Sequence, residues 1–220
     1  MGQYFKPVIL KHTWKKNEKP VAATLLCYDY KVGVFGIGAK LMEHSYVGND
    51  LVEDMVALLG TKFKGYPFVW VGDYADAVEI NGKGVDLYNL AGKFIYEDYN
   101  GESVKKRTSY KNLWASKDWY VHGFKYLVNY TKKEYCVIPP KSKTDYVVHP
   151  LPLLTASGNG RGGGDYGIND PRVGRWAFDK IGATNDSGEL EGFTEIDGKF
   201  KLDFFFNKSI FIWLYLENFR

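Results

Sequence analysis

Residues 158–167 read Gly-Asn-Gly-Arg-Gly-Gly-Gly-Asp-Tyr-Gly, a composition that neither a helix nor a strand interior accommodates. Ordering glycine in regular structure costs about 0.5–1 kcal/mol relative to alanine, so the chain must turn around this segment. Glycine permits positive backbone torsions and leaves amide N–H groups uncovered, which lets a phosphate or another backbone approach closely. Arg161 adds a planar cation that grips phosphate or carboxylate through two parallel hydrogen bonds. Asp165 and Tyr166 are residue types that fix a ligand's orientation. Gly160, Arg161, Gly162, Gly163, Gly164, Asp165 and Tyr166 are therefore candidate ligand-binding residues. The alternative is a mobile surface loop, although the flanks lack the Gly/Ser composition of a linker.

Two standard nucleotide motifs do not fit. Gly158, Gly160 and Gly163 have the spacing of the dinucleotide fingerprint, but that motif opens a helix, and here Asn169-Asp170-Pro171 follows. A P-loop needs Lys-Ser or Lys-Thr at its end, and none is present.

Along the rest of the chain, residues 4–10 and 21–30 are apolar, β-branched and aromatic, and predict two neighbouring antiparallel strands. Asn49 is placed to cap a helix. Asp50, Glu53 and Asp54 bring negative charge to its first turn, Leu51, Val52, Met55, Val56 and Leu59 recur at helical spacing, and Gly60 stands where it ends. Residues 67–71, Pro-Phe-Val-Trp-Val, predict a short buried strand that leads into the loop Gly72-Asp73-Tyr74-Ala75-Asp76. A second, shorter helix is expected within 86–95, and a hairpin from 124–130 and 135–138. Residues 147–155 are apolar but punctuated by proline, which predicts an extended segment outside a central strand. Residues 193–206 predict a strand pair turning at Asp197-Gly198. Residues 209–216 are densely apolar but too short to cross a bilayer, which takes about 20 residues, and residues 199–220 form a strand or docking tail. The fold class expected is α+β, one domain over residues 1–220, with a mostly antiparallel sheet and one or two helices.

Outside the glycine segment, polar candidates are Glu43-His44, His149, Asp73 and Asp76. A histidine beside a glutamate can act as general base with its orienting partner, but neighbours on a strand face opposite ways. His44 and His149 can equally be structural. Asp73 and Asp76 can hold a divalent cation or cap the turn after a strand, and the capping role is the expectation. Zinc ligation and a nucleophile elbow lack their patterns.

The net charge of +3 is too mild for a nucleic-acid face, and the short basic clusters at Lys15-Lys16, Lys105-Lys106-Arg107 and Lys132-Lys133 read as solvated turns. Cys27 and Cys136 lie far apart in apolar runs, the pattern of two buried thiols in a reducing compartment, with a single bridge between them as the alternative. The N-terminus lacks the regions of a signal peptide, and Lys6 stands where myristoylation requires Ser or Thr. The expected location is the cytoplasm, with neither membrane nor nucleic acid as partner. The aromatic fraction, 17%, suits half-exposed sheet faces and ligand-facing walls alike.

Met1-Gly2-Gln3-Tyr4-Phe5-Lys6-Pro7-Val8, Lys40-Leu41-Met42-Glu43-His44-Ser45, Gly72-Asp73-Tyr74-Ala75-Asp76, and His149-Pro150-Leu151-Pro152-Leu153-Leu154-Thr155 with the glycine segment together resemble a family of phage- and prophage-associated proteins. The resemblance extends to about residue 184. It carries no catalytic residues over. What it implies is a class of roles, either binding host factors or capturing signalling molecules of host defence. The leading expectation is a non-enzymatic binding protein that sequesters a nucleotide-like small molecule. Arg161 and the glycine amides would hold phosphate, with Trp70, Tyr74, Tyr166 or Trp176 stacking on a base and His44, His149, Asp73 and Asp76 nearby. No cofactor or metal is expected. A hydrolase using His44, His149 and the loop aspartates, and a protein that blocks a host protein directly, are the alternatives. Self-association is a further partner class.

Overall fold

A computed structural model describes residues 3–10, 40–80, 83–91, 123–142, 146–158 and 170–200. Its architecture is α+β, with a seven-stranded, mostly antiparallel sheet and one helix of three turns. The organising element is strand β2, Tyr66–Gly72, on which every residue after Tyr66 is buried. β1, Phe5–Ile9, pairs antiparallel along it from Phe5↔Gly72 to Ile9↔Phe68. Pro7 stands opposite Trp70, whose N–H points away from β1 and donates to the Thr155 carbonyl at 2.8 Å. The proline's missing N–H therefore costs this ladder nothing, which is how an edge strand tolerates it.

Alternate residues of β2 face two clusters. Phe68 and Trp70 join Met55, Leu59, Leu127, Leu154 and Ile181 on one side, while Val69 and Val71 meet Val8, Leu10, Leu87 and Tyr88 on the other. This period of two, with both faces apolar, explains why residues 67–71 carry no polar alternation.

Among the described residues of the first half lie two short helical turns and one full helix. α1 is Leu41–His44 and α2 is Asp50–Gly60. Asn49 caps α2 as expected, its Oδ1 accepting from the Val52 N–H at 3.3 Å, and Glu53 Oε1 accepts from the Gly48 N–H at 2.8 Å. Glu43 and His44 sit on the α1 turn, so the strand alternation expected for that pair does not apply. After β2 come β3, Val78–Ile80, and β4, Lys83–Val85, paired antiparallel. The intervening Asn81-Gly82 is the sequence signal for such a hairpin. α3, Leu87–Ala91, starts at Asp86, whose Oδ1 accepts from the Asn89 N–H; residues 92–95 of the expected helix lie outside the described residues. So do residues 21–30 and Cys27.

The predicted hairpin is β5, Tyr126–Asn129, and β6, Glu134–Val137. Asn129 Oδ1 accepts from the Thr131 and Lys132 N–H groups, and Lys133 takes the left-handed conformation at φ 52°. Cys136 is a buried free thiol, and burial pushes its pKa up.

Residues 150–154 correct the expectation of an extended segment: Pro150–Leu154 is a helix, α4. His149 is its N-cap, Nδ1 accepting from the Leu151 N–H at 3.2 Å. Pro150 and Pro152 fall in the first turn, where backbone N–H groups have no intrahelical acceptor and proline removes nothing. β7, Ala156–Ser157, then pairs parallel with Trp70 and Val71. β8, Lys180–Thr184, pairs with both β2 and β5.

The strand pair expected over 193–206 is also corrected within the described residues. Only Thr194–Glu195, β9, is strand, and it runs parallel to β6. Asp197 turns aside to Arg172, which donates to its carbonyl at 2.7 Å and lies 3.0 Å from its carboxylate. No helix among the described residues is long and apolar enough to cross a membrane.

Gly60 ends α2 against the Phe124 ring, which stands 2.2 Å from where a Cβ would be. Alanine gains about 1 kcal/mol of helix propensity, but the collision costs roughly 1–3 kcal/mol. Gly60→Ala is therefore expected to lower the denaturant midpoint, despite the better helix former; a raised midpoint contradicts the packing at Phe124.

Candidate functional site

The C-terminal end of β2 gathers three segments distant in sequence. The Tyr4 N–H donates to Asp73 Oδ1 at 3.1 Å, and the Asp73 N–H donates to the Tyr4 carbonyl at 2.9 Å, extending the β1–β2 pairing past Gly72. Asp73 thus ties the loop to the N-terminal strand. The Ala75 N–H closes the turn on the Gly72 carbonyl, leaving Asp76 exposed and Tyr74 50% exposed.

The third segment is the start of the glycine run. Parallel pairing of Ala156 with Trp70 and Ser157 with Val71 carries Gly158 alongside Gly72. Between these glycines lies the Gln3 amide. A Cβ on Gly72 would stand 2.5 Å from Gln3 Nε2, and one on Gly158 would stand 2.5 Å from Gln3 Oε1. Both glycines are therefore needed for that side chain to lie where it does. Gly160, Arg161, Gly162, Gly163, Gly164, Asp165 and Tyr166 lie outside the described residues.

The chain returns to the same place after the glycine segment. The Gly174 N–H donates to the Leu153 carbonyl, and Trp176 N–H to the Leu154 carbonyl. Gly174 has φ +76°, and a Cβ there would stand 2.7 Å from the Ala156 carbonyl oxygen. Departure and return thus both abut β7. Asp170, at the returning end, accepts from Arg172 Nε and Nη2 at 2.9 and 2.6 Å. The guanidinium holds the Asp170 carboxyl below its usual range and packs 4.5 Å from the Phe200 ring centroid. Arg172 is a tie between Asp170 and Asp197.

Trp176 is 0% exposed, and its Nε1–H donates to Glu134 Oε2 at 2.8 Å. Glu134 also accepts from Arg175 at Nε and Nη2. Burial raises the Glu134 pKa, but the Arg175 and Trp176 hydrogen bonds outweigh it and the net direction is down. Trp176 anchors the core, so the expected base stack has no open indole face there. Trp70, equally buried, is stacked on His44 at 5.3 Å between centroids and 17° between planes.

His44 and His149 are brought together in the core. The His149 N–H donates to the Ser45 carbonyl at 3.0 Å. Burial lowers both imidazoles to a pKa of about 3, with the Lys40 backbone offsetting part of the effect on His44. Because His149 Nδ1 accepts from Leu151, its proton resides on Nε2, which makes that edge a donor. Ser45 Oγ, Trp70 Nε1 and His149 Nε2 are buried without a hydrogen-bond partner, as are Gln3 Nε2 and Oε1.

This arrangement is a neutral, donor-rich set of side chains. No hydrogen bond or ion pair among the described residues joins either histidine to Asp73 or Asp76, the residues that the hydrolase alternative combines. Among the described residues no group of three or more His, Cys, Asp or Glu could hold a metal ion. Gln3 and Ser45 were not singled out by sequence. The available signal is alternation, which puts Gln3 on the same face as Phe5, toward the larger core cluster. Compared with family models, curated proteins and solved structures, the chain finds no match in any of the three.

The buried imidazoles set a pH dependence. A free imidazole titrates near 6.5, so between about pH 6.5 and pH 3 the unfolded chain binds protons that the folded chain refuses. The contribution is complete above pH 6.5 and lost as pH falls through that window, with a slope of about 1.4 kcal/mol per pH unit for each ring. Denaturant unfolding at pH 7.5 and 4.5 measures it. His44→Phe, which keeps a ring against Trp70, is expected to remove one ring's share; an unchanged slope contradicts neutral burial of His44.

Proposed function

We propose that the protein binds and sequesters a nucleotide-derived small molecule at the end of β2, as a phage-type protein that withdraws a host defence signal. The observation that carries this reading is convergence. The register Val71↔Ser157 brings the start of the glycine segment beside the loop 72–76, two regions 80 residues or more apart in sequence. Gly158 and Gly72 flank the buried Gln3 amide, and Tyr74 is half exposed on the adjoining turn, an aromatic surface on which a base can stack. Arg161 and the glycine amides, as read from sequence, supply the phosphate-binding chemistry. Sequestration is favoured over turnover because, among the described residues, the buried histidines are neutral and share no hydrogen bond or ion pair with the loop aspartates.

Thermal-shift and calorimetric screening of mononucleotides, cyclic nucleotides and ADP-ribose derivatives tests this reading. The expected result is saturable binding of at least one of them, with the ligand recovered intact after the protein is denatured. A screen in which none binds rejects the reading, and recovery of a cleaved ligand rejects sequestration.

A further inference from the structure

The β5–β6 hairpin turns one face to the core and one away from it. Leu127 and Cys136 pair across it and join the cluster that α2 covers, so alternation sends Tyr126, Val128, Tyr135 and Val137 to the opposite face. On the β2 half of the sheet that opposite face is covered by Leu87 and Tyr88 of α3. Over the hairpin it is open to solvent: Tyr126 and Tyr135 are partly exposed and Val137 is 38% exposed. Among the described residues Val137 and Tyr74 are the exposed large apolar side chains, and Tyr74 belongs to the end of β2. A solvated face of an antiparallel sheet ordinarily carries polar residues at these positions.

The patch is also bipolar. Tyr126 and Tyr135 meet edge to face with 5.8 Å between centroids, and the Tyr135 hydroxyl donates to Glu195 Oε2 at 3.0 Å. Aromatic side chains already held in place lose little freedom on association. On the β5 side Lys125 Nζ stands 4.9 Å from the Tyr126 centroid, and on the β9 side Glu195 borders Tyr135. Both charged residues are exposed, and neither forms an ion pair among the described residues. A cation, an apolar centre and an anion thus follow one another across β5, β6 and β9.

We propose that this face is a homodimer interface, in which a two-fold axis through Tyr126, Tyr135 and Val137 sets Lys125 of one protomer against Glu195 of its partner, twice. A surface with opposite charges at its two ends is complementary to itself under that operation. Any rotation that brought like ends together would oppose Lys125 to Lys125, which costs affinity. A polyanion such as a nucleic acid would be repelled by Glu195, so a second copy of this chain fits the face better. The inference is independent of the nucleotide reading, since the two surfaces lie on different strands.

Sedimentation equilibrium over a concentration series tests it on the full chain. Wild type is expected to dimerise reversibly, and Val137→Glu, which puts a charge at the centre of the patch, to be monomeric. Lys125→Glu and Glu195→Lys are each expected to weaken the dimer by about tenfold or more, because like charges then face each other. The double swap Lys125→Glu/Glu195→Lys restores opposite pairs and is expected to recover wild-type affinity to within about threefold. That rescue separates pairing between protomers from any local cost of either single change, including loss of the Tyr135 hydrogen bond. A wild type that stays monomeric throughout overturns the proposal. So does a dimer that Val137→Glu leaves intact, or a double swap no tighter than the single ones.

Discussion

The hydrogen-bonding capacity of β2 is divided among four segments, and the rest of the structure follows from that division. One edge is given wholly to β1. The other is shared: Tyr66 and Pro67 pair with β8, Phe68 exchanges bonds with the 178–179 turn, and Trp70 and Val71 pair with the end of α4 and β7. Each backbone bond contributes only about 0.5–1.5 kcal/mol net, but together they fix register. A one-residue slip would turn Phe68 and Trp70 away from the core cluster they fill. The same register sets Gly72 beside Gly158 and beneath Gln3, so the site inherits its geometry from the core strand.

The face of β2 that carries Trp70 and Gly72 is also where the unsatisfied polar atoms gather. His44 stacks on Trp70, His149 bonds to the Ser45 backbone, and Gln3 lies over Gly72. An unsatisfied buried polar group costs about 1–3 kcal/mol, against a net stability of about 5–15 kcal/mol for a whole domain. The charged groups behave differently. Glu134 with Arg175, Arg172 with Asp170, and Lys64 with Glu189 are each paired, and they hold turns and strand ends rather than facing β2's buried face.

Apolar runs bounded by turn residues, and one helical period, were legible in the sequence. β1, β2, α2 and the β5–β6 hairpin emerge where apolar spacing, a capping Asn49 and a polar turn agree with one another. α4 was not, because proline is read first as a helix breaker and only its position within the first turn reverses that meaning. β9 escaped because two residues pairing in parallel with a distant strand leave no local pattern. Trp70 and Trp176 illustrate the limit for the site. Residue type offers an aromatic face, but whether that face is open depends on tertiary neighbours such as His44 and Glu134. Gln3 was hidden for the opposite reason: its residue type alone announces no burial, and its placement depends on two glycines 69 and 155 residues away.

The central claim is that segments far apart in sequence act as one site at the end of β2. Hydrogen exchange of the protein with and without a bound nucleotide tests it most directly, since it reads all segments at once. The account predicts slowed exchange at residues 3–5, 72–76 and 156–158 together, with the β5–β6 hairpin and β9 unchanged. Slowing confined to the hairpin and β9, with those three segments unaffected, would contradict it.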